Sequence, residues 1–298
     1  MTDDTEKFDI MKLIGDVEKS TIDDFDPFFF VTSARALVET SPVPIRMSLE
    51  DQEIGDHPII IKLEDSARKF ENYKAIQIRV LRYFSAETML LLCLSGHPAW
   101  PYIRVASMLR ERELSEAVRN ILNDEVPSAF ELKNSAGSLN FSEWLCKIMF
   151  LGYFRPDDAT YLGYETFFLD EVALLREKGA LNAIKHGKPK NFRAGASLRV
   201  QKSGGDWQEI NEPISGLSWV DWKDSVERVS IGFGTEELSQ EDDMRALLQM
   251  AILMDAILNS RRRIYGLRFD EQIHTLDLSQ GYSAVKRQYF KFDVSKRK

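Results

Sequence analysis

Apolar residues recur at spacings of three and four along much of this chain. The longest such row starts near residue 65 and ends at Ser95, about 30 residues or roughly 45 Å of helix. The same spacing predicts four long helices, at about 65–95, 101–123, 157–186 and 237–265. Because short or β-bearing connections join them, the pattern favours a mainly α fold class, an antiparallel helical bundle.

Shorter elements are predicted around these helices. Asn140 is placed to cap a short helix that ends at Phe150. Residues 5–19 have the loose amphipathic spacing of another short helix, with Phe8, Met11 or Lys12, and Gly15 on one side. The segment 28–39 is an aromatic run followed by a mixed pattern that indicates no element.

Residues 191–234 differ from the rest because alternation replaces the helical spacing. Residues 196–202 alternate, residues 203–206 have the composition of a hairpin turn, and residues 207–210 are the predicted returning strand. Residues 217–222 and 226–233 are predicted to form a second pair. We therefore predict a small β-hairpin insertion within the helical fold.

The composition is that of an ordinary globular protein, with 44% hydrophobic and 29% charged residues. No apolar run approaches the roughly 20 residues that span a bilayer, and the acidic N-terminus is unlike a secretory signal. We therefore expect a cytoplasmic protein with no membrane partner. The two cysteines, Cys93 and Cys146, are expected to be reduced thiols in the core.

The formal net charge of −8 argues against broad, non-specific binding of nucleic acid by the whole surface. Basic residues nevertheless cluster at three places, residues 185–193, 261–263 and 286–298. Together with the neighbouring aromatic residues, these clusters could follow a phosphate backbone and stack bases. The alternative is favourable charge at a helix C-terminus followed by a solvated tail.

The end of the third long helix carries the clearest candidate chemistry. It reads Leu181-Asn182-Ala183-Ile184-Lys185-His186-Gly187, so Asn182 and His186 share one face with an apolar stripe. Gly187 and Pro189 are typical of a helix end. A polar pair at this position suits either catalysis or a structural role, in which His186 caps the last carbonyls and Asn182 bonds a neighbouring helix.

This Asn-x-x-Lys-His-Gly block resembles the HEPN (higher eukaryote and prokaryote nucleotide-binding) family of helical proteins. Many active HEPN proteins are metal-independent ribonucleases that act as dimers, and their motif is an Arg followed four to six residues later by His. The resemblance implies a catalytic role for His186 and assigns Asn182 to the polar position beside the family's Arg. The chain departs from the motif at Leu181, where the Arg is expected, and the nearest upstream arginine is Arg176.

Cleaving RNA without a metal requires a base for the ribose 2′-hydroxyl, an acid for the leaving oxygen, and cations beside the phosphate. Histidine suits both proton transfers because its ordinary pKa lies near neutrality. Preorganised cations stabilise the phosphate charge. The residues predicted to contact nucleic acid are Lys185, Lys188, Arg193, Arg261 and Arg262.

Other catalytic or ligand-binding patterns are weak. His57, His97 and His274 lack the paired spacing of metal ligands, and His57 and His97 each precede a proline as loop residues do. The chain has no Gly-x-Ser-x-Gly motif, so a serine hydrolase of that type has no support. We predict no metal site and no cofactor.

With the resemblance, the chain divides into an N-terminal extension (1–60), a HEPN-like helical bundle with the β insertion (61–266) and a C-terminal extension (267–298). Three functions stay open. The first is an RNA-acting or defence-associated factor, with a homodimer expected from the resemblance. The second is a non-enzymatic helical interaction module that contacts a protein partner through residues 1–60 or 191–234. The third is a degenerate family member that binds RNA or nucleotide without cutting it.

Overall fold

The computed structural model of the chain describes residues 10–40, 53–54, 57–58, 66–108, 111–134, 137–176, 181–182, 190–196, 199–201, 207–209, 214–224, 228–269, 285 and 287–295. These residues are mainly helical and carry an antiparallel β portion, which confirms the predicted fold class.

The helices follow the apolar spacing closely. They are α1 (Ile10–Asp24), α2 (Phe29–Glu39), α3 (Ser66–Leu94), α4 (Tyr102–Met108), α5 (Glu111–Ile121), α6 (Phe141–Phe150), α7 (Ala159–Arg176) and α8 (Gln240–Ile264). Leu181 and Asn182 are also helical. Three of the four predicted long helices correspond to α3, α7 and α8, and α6 corresponds to the predicted short helix.

The predicted helix at 101–123 corresponds to α4 and α5, which flank residues 109–110, outside the described residues. One difference from the predicted helices has a physical cause. Segment 28–39, for which no element was predicted, contains α2. Its apolar pattern is obscured because Phe29 and Val38 face solvent while Ala34 is its buried residue.

The β portion is larger than the predicted hairpins. The strands are β1 (Glu53–Ile54), β2 (His57–Pro58), β3 (Lys133–Asn134), β4 (Gly137–Ser138), β5 (Lys190–Ala196), β6 (Arg199–Gln201), β7 (Trp207–Glu209), β8 (Ile214–Asp224), β9 (Arg228–Glu237) and β10 (Arg287–Ser295). The pairs β6–β7 and β8–β9 confirm the two predicted pairs. The main sheet has the antiparallel order β10-β9-β8-β5, so part of the predicted C-terminal extension is an edge strand.

Contacts divide the chain into two compact units, and neither is continuous in sequence. Unit 1 comprises residues 1–31, 82–179 and 245–284, and unit 2 comprises residues 32–81, 180–244 and 285–298.

In unit 1, an aromatic core forms where α6 meets α7. Asn140 caps α6 through a capping box with Glu143, as its position in the sequence predicts. This fixes the start of a helix whose buried face includes Trp144 and Phe150. The indole Nε1 of Trp144 donates to the carbonyl of Phe130 at 2.8 Å, so its one polar atom is satisfied inside the core.

In unit 2, a buried ionic network joins helices to the sheet. The guanidinium of Arg79 on α3 donates from Nε to both carboxylate oxygens of Asp243 on α8, at 2.8 and 2.9 Å. Its Nη1 donates to Glu236 on β9 at 2.5 Å, and Glu236 also accepts from Arg287 on β10 at 2.8 Å. The two carboxylates are fully buried, so their charges depend on these arginines.

Two glycines of β9 make room for aromatic rings from the flanking strands. A Cβ atom at Gly234 would lie 2.2 Å from the ring of Trp219, and one at Gly232 would lie within 3 Å of the Tyr289 ring. Glycine is therefore required where these rings lie across the strand.

Candidate functional site

The predicted catalytic pair is only partly described. Asn182 is helical and half-buried, whereas His186, Lys185 and Lys188 lie outside the described residues. Arg193 contributes backbone to β5, opposite Gly216 of β8. The catalytic assignment of Asn182 and His186 therefore stays a prediction.

Arg261 lies inside unit 1, which contradicts the prediction that its charge faces a nucleic acid. Its side chain is almost fully buried. The guanidinium donates to Ser95 Oγ at 2.5 Å and to the carbonyl of Leu92, so it compensates the partial negative charge at the end of α3. Burial lowers the pKa of Arg261 to about 10, and the side chain is still charged at neutral pH.

The two arginines that follow also make contacts within unit 1. Arg262 donates from Nη2 to the carbonyl of Phe25 at 3.2 Å and lies 3.9 Å from a carboxylate oxygen of Asp255. The guanidinium of Arg263 lies 5.5 Å from the ring centre of Tyr153. These contacts favour the interpretation of structural charge at a helix end. A nucleic-acid contact by Arg262 stays a prediction.

His97 and the two cysteines make contacts that are typical of structural residues. His97 Nδ1 accepts from the amide of Ala99 at 3.2 Å, and Nε2 lies 3.2 Å from the carbonyl of Glu131, so the neutral ring carries its proton on Nε2. Cys93 and Cys146 are free and buried, as predicted, and burial raises the pKa of each thiol to about 12. Among the described residues, no group of three or more His, Cys, Asp and Glu could hold a metal ion.

Within the described part of the chain, no helix has the length and apolar character needed to cross a membrane.

A concave surface of unit 1, which we call the α1 groove, is the candidate site. Its volume is about 890 Å³, and most of its lining surface is apolar. The lining residues are Ile14, Gly15, Val17, Glu18, Pro98, Ala99, Pro101, Ile103, Arg104, Ser107 and Tyr265.

One wall of the α1 groove is helix α1 itself. Ile14 and Val17 stand three residues apart, hence on one helical face, and they are 40% and 42% exposed. Glu18 is buried, and its carboxylate accepts from the amides of Tyr102 at 2.9 Å and Ile103 at 3.4 Å. Because the first amides of a helix have no partner within it, Glu18 attaches α1 to the start of α4.

The segment 98–107 forms the opposite wall of the groove, and local contacts hold this segment in place. Arg104 Nη1 donates to the carbonyl of Ala99 at 2.7 Å, and its guanidinium lies 4.4 Å from the ring centre of Trp100. The bond between His97 and the Ala99 amide supports the same turn. These contacts within the segment fix the shape of this wall.

Tyr265 contributes a partly exposed phenol to the groove. The side chain is 37% exposed. Burial raises the pKa of Tyr265, with a further contribution from the negative charge of Glu18. The phenol is therefore protonated at neutral pH and can donate a hydrogen bond.

A second concave surface, which we call the acidic hollow, shares Val17 with the α1 groove. Its volume is about 570 Å³, and it is lined by Asp16, Val17, Ser20, Thr21, Asp24 and Phe25. Asp16 and Asp24 are exposed, and Ser20 Oγ donates to Asp24 Oδ2 at 3.4 Å.

Sequence reasoning predicted a helix in this region but missed the groove. The predicted apolar side contains Phe8, Met11 or Lys12, and Gly15. Gly15 lines the groove, Phe8 and the side chains of Met11 and Lys12 lie outside the described residues, and the exposed apolar pair is Ile14 and Val17. The signal that could have found it is this i, i+3 pair within an otherwise acidic stretch.

Comparisons with known proteins give no family for this chain, because no protein-family model, curated protein or solved structure matches it.

Proposed function

We propose that this chain is a helical interaction module that binds an amphipathic helix of a protein partner along the α1 groove. The observation that carries the proposal is the exposure of Ile14, Val17 and Tyr265 on one concave, largely apolar surface of unit 1. Concave apolar surfaces with a few polar groups are the usual form of binding sites, and amphipathic helices dock in such grooves through residues spaced by three and four.

The chemistry of the lining residues favours binding over catalysis. Among the described residues, no histidine or cysteine lines the groove, and the carboxylate of Glu18 is committed to the amides of α4. The remaining polar groups, on Arg104, Ser107 and Tyr265, can hold and orient a ligand through hydrogen bonds. Covering the exposed parts of Ile14 and Val17 would contribute about 1 kcal/mol each.

A labelled amphipathic peptide tests this proposal. The probe has about 18 residues, or five helical turns, with leucines at intervals of three and four and lysines elsewhere. Its binding to the full chain is followed by fluorescence anisotropy. We expect Ile14→Glu and Val17→Glu each to weaken binding about tenfold or more, because each puts a charge into the apolar contact.

Leu162→Glu is the matched control, since Leu162 is 48% exposed on α7 of the same unit and does not line the groove. It should bind the peptide as the unaltered chain does, and circular dichroism verifies that each variant is folded. Failure of the unaltered chain to bind the peptide, or equal weakening by Leu162→Glu, would overturn the proposal.

A further inference from the structure

We infer that the partner helix is basic as well as apolar, with its cationic side chains over the acidic hollow beside α1. This inference rests on the proposed function and specifies the partner of the same site. Val17 lines both the α1 groove and the acidic hollow, so the apolar surface and the carboxylates are adjacent. A helix that covers Ile14 and Val17 therefore carries its flanking side chains next to Asp16 and Asp24.

The exposed charges on this side of unit 1 are predominantly negative. In residues 14–26 the exposed ionisable side chains are those of Asp16, Lys19, Asp23, Asp24 and Asp26, four carboxylates against one ammonium. Among the described residues, Asp16 and Asp24 form no ion pair with a lysine or arginine, and Asp24 accepts one hydrogen bond from Ser20.

The spacing of the two carboxylates suits a helical partner. Asp16 and Asp24 are eight positions apart, about 12 Å along α1. Two basic residues separated by seven or eight positions on one face of a partner helix span the same distance. Lysine and arginine side chains can also lay their aliphatic parts on the apolar surface while their charges reach a carboxylate.

Two arginines near the groove are already engaged within unit 1. Arg104 on the opposite wall bonds the carbonyl of Ala99 and stacks on Trp100. Arg262 bonds the carbonyl of Phe25, at the edge of the acidic hollow, and lies near Asp255. Among the described residues, these two arginines therefore do not neutralise Asp16 or Asp24, and both carboxylates can pair with a cation of the partner.

The same negative charge disfavours other apolar or polyanionic occupants. Anionic lipid headgroups and nucleic-acid phosphates attract basic protein surfaces, and exposed carboxylates repel them. An acidic amphipathic helix is disfavoured for the same reason. Charge complementarity thus selects a basic helix.

Three peptides with identical leucine positions separate the inference from the proposed function. Their polar positions are all lysine, all glutamine or all glutamate, and each is titrated against the full chain. In about 50 mM salt we expect the lysine peptide to bind at least about tenfold more tightly than the glutamate peptide. The difference should shrink in about 500 mM salt, because salt screens exposed charges.

The decisive variant is Asp16→Lys with Asp24→Lys, which should reverse the preference between the lysine and glutamate peptides. Its control is Glu116→Lys with Glu125→Lys, two exposed acids of unit 1 that line neither concave surface, with the same change in net charge. If the control reverses the preference equally, the inference is wrong.

The remaining outcomes are distinct. Equal binding of all three peptides would refute the inference and leave the proposed function standing, whereas binding of none would refute both. Tighter binding to vesicles containing phosphatidylserine than to the lysine peptide would also refute the inference.

Discussion

Arg261 shows that one arginine of a basic run can be buried and form hydrogen bonds in the core. Three consecutive arginines on a helix point in directions about 100° apart, so they cannot all face solvent when one side of the helix is buried. Arg261 lies three positions after Leu258 and seven after Met254, and both are fully buried. Helical spacing therefore accounts for its burial, although the run of charges had indicated a surface.

Replacing this buried guanidinium tests its structural role. We expect Arg261→Met to lower the free energy of unfolding by about 2–4 kcal/mol, because the Leu92 carbonyl and the Ser95 hydroxyl lose their buried donor. Urea denaturation at neutral pH measures the change. Arg263→Met, which removes an exposed cation–π contact, should cost less than about 1 kcal/mol. Equal losses in the two variants would contradict the assignment.

His186 carries the ribonuclease hypothesis, and a direct assay can test it. If the resemblance to HEPN proteins extends to activity, the purified chain cleaves total RNA with and without a chelator, and His186→Ala abolishes cleavage. Gel electrophoresis of the products gives the readout. Absence of cleavage in both proteins, with a lower melting temperature for His186→Ala, would instead support the structural role of this histidine.

At the scale of elements, the buried network around Arg79 connects α3, α8 and β9. We expect Arg79→Met to destabilise the protein by about 3–5 kcal/mol, since it removes the guanidinium that both buried carboxylates bind. Chemical denaturation measures the loss.

A surface ion pair provides the comparison for this network. Arg35 and Glu39 pair at 2.7 Å within α2, but both side chains are largely exposed. Because solvent screens this exposed pair, Arg35→Ala should leave the free energy of unfolding nearly unchanged. A comparable loss in both variants would show that burial does not govern the strength of these pairs.

Helices were easier to predict than strands because the spacing of apolar residues within a helix indicates its buried face. The positions of α3, α6 and α8 follow from apolar spacing and from caps such as Asn140. The pattern of the last residues predicts a basic tail instead of strand β10, because the pairing of β10 with β9 depends on residues more than 50 positions away. Local pattern carries no information on such a partner.

At the scale of the whole molecule, the candidate site was beyond sequence reasoning for a related reason. The α1 groove combines residues of α1, the segment at 98–107 and Tyr265. Glu18 and the amide it holds at Tyr102 are 84 positions apart. Composition predicts that apolar side chains are buried somewhere, but only the tertiary arrangement shows that Ile14 and Val17 are left uncovered.

The ionic network of unit 2 also has a consequence for biosynthesis. Glu236 leaves the ribosome 51 residues before Arg287, and Arg79 precedes Asp243 by 164 residues. The nascent chain therefore carries the Arg79 guanidinium, which is destined for the interior, well before its carboxylate partners exist, and it carries Glu236 before the second counter-charge of that carboxylate. Strand β9 must wait for β10 before its edge is covered, so we expect the sheet to complete slowly and after translation of residue 295.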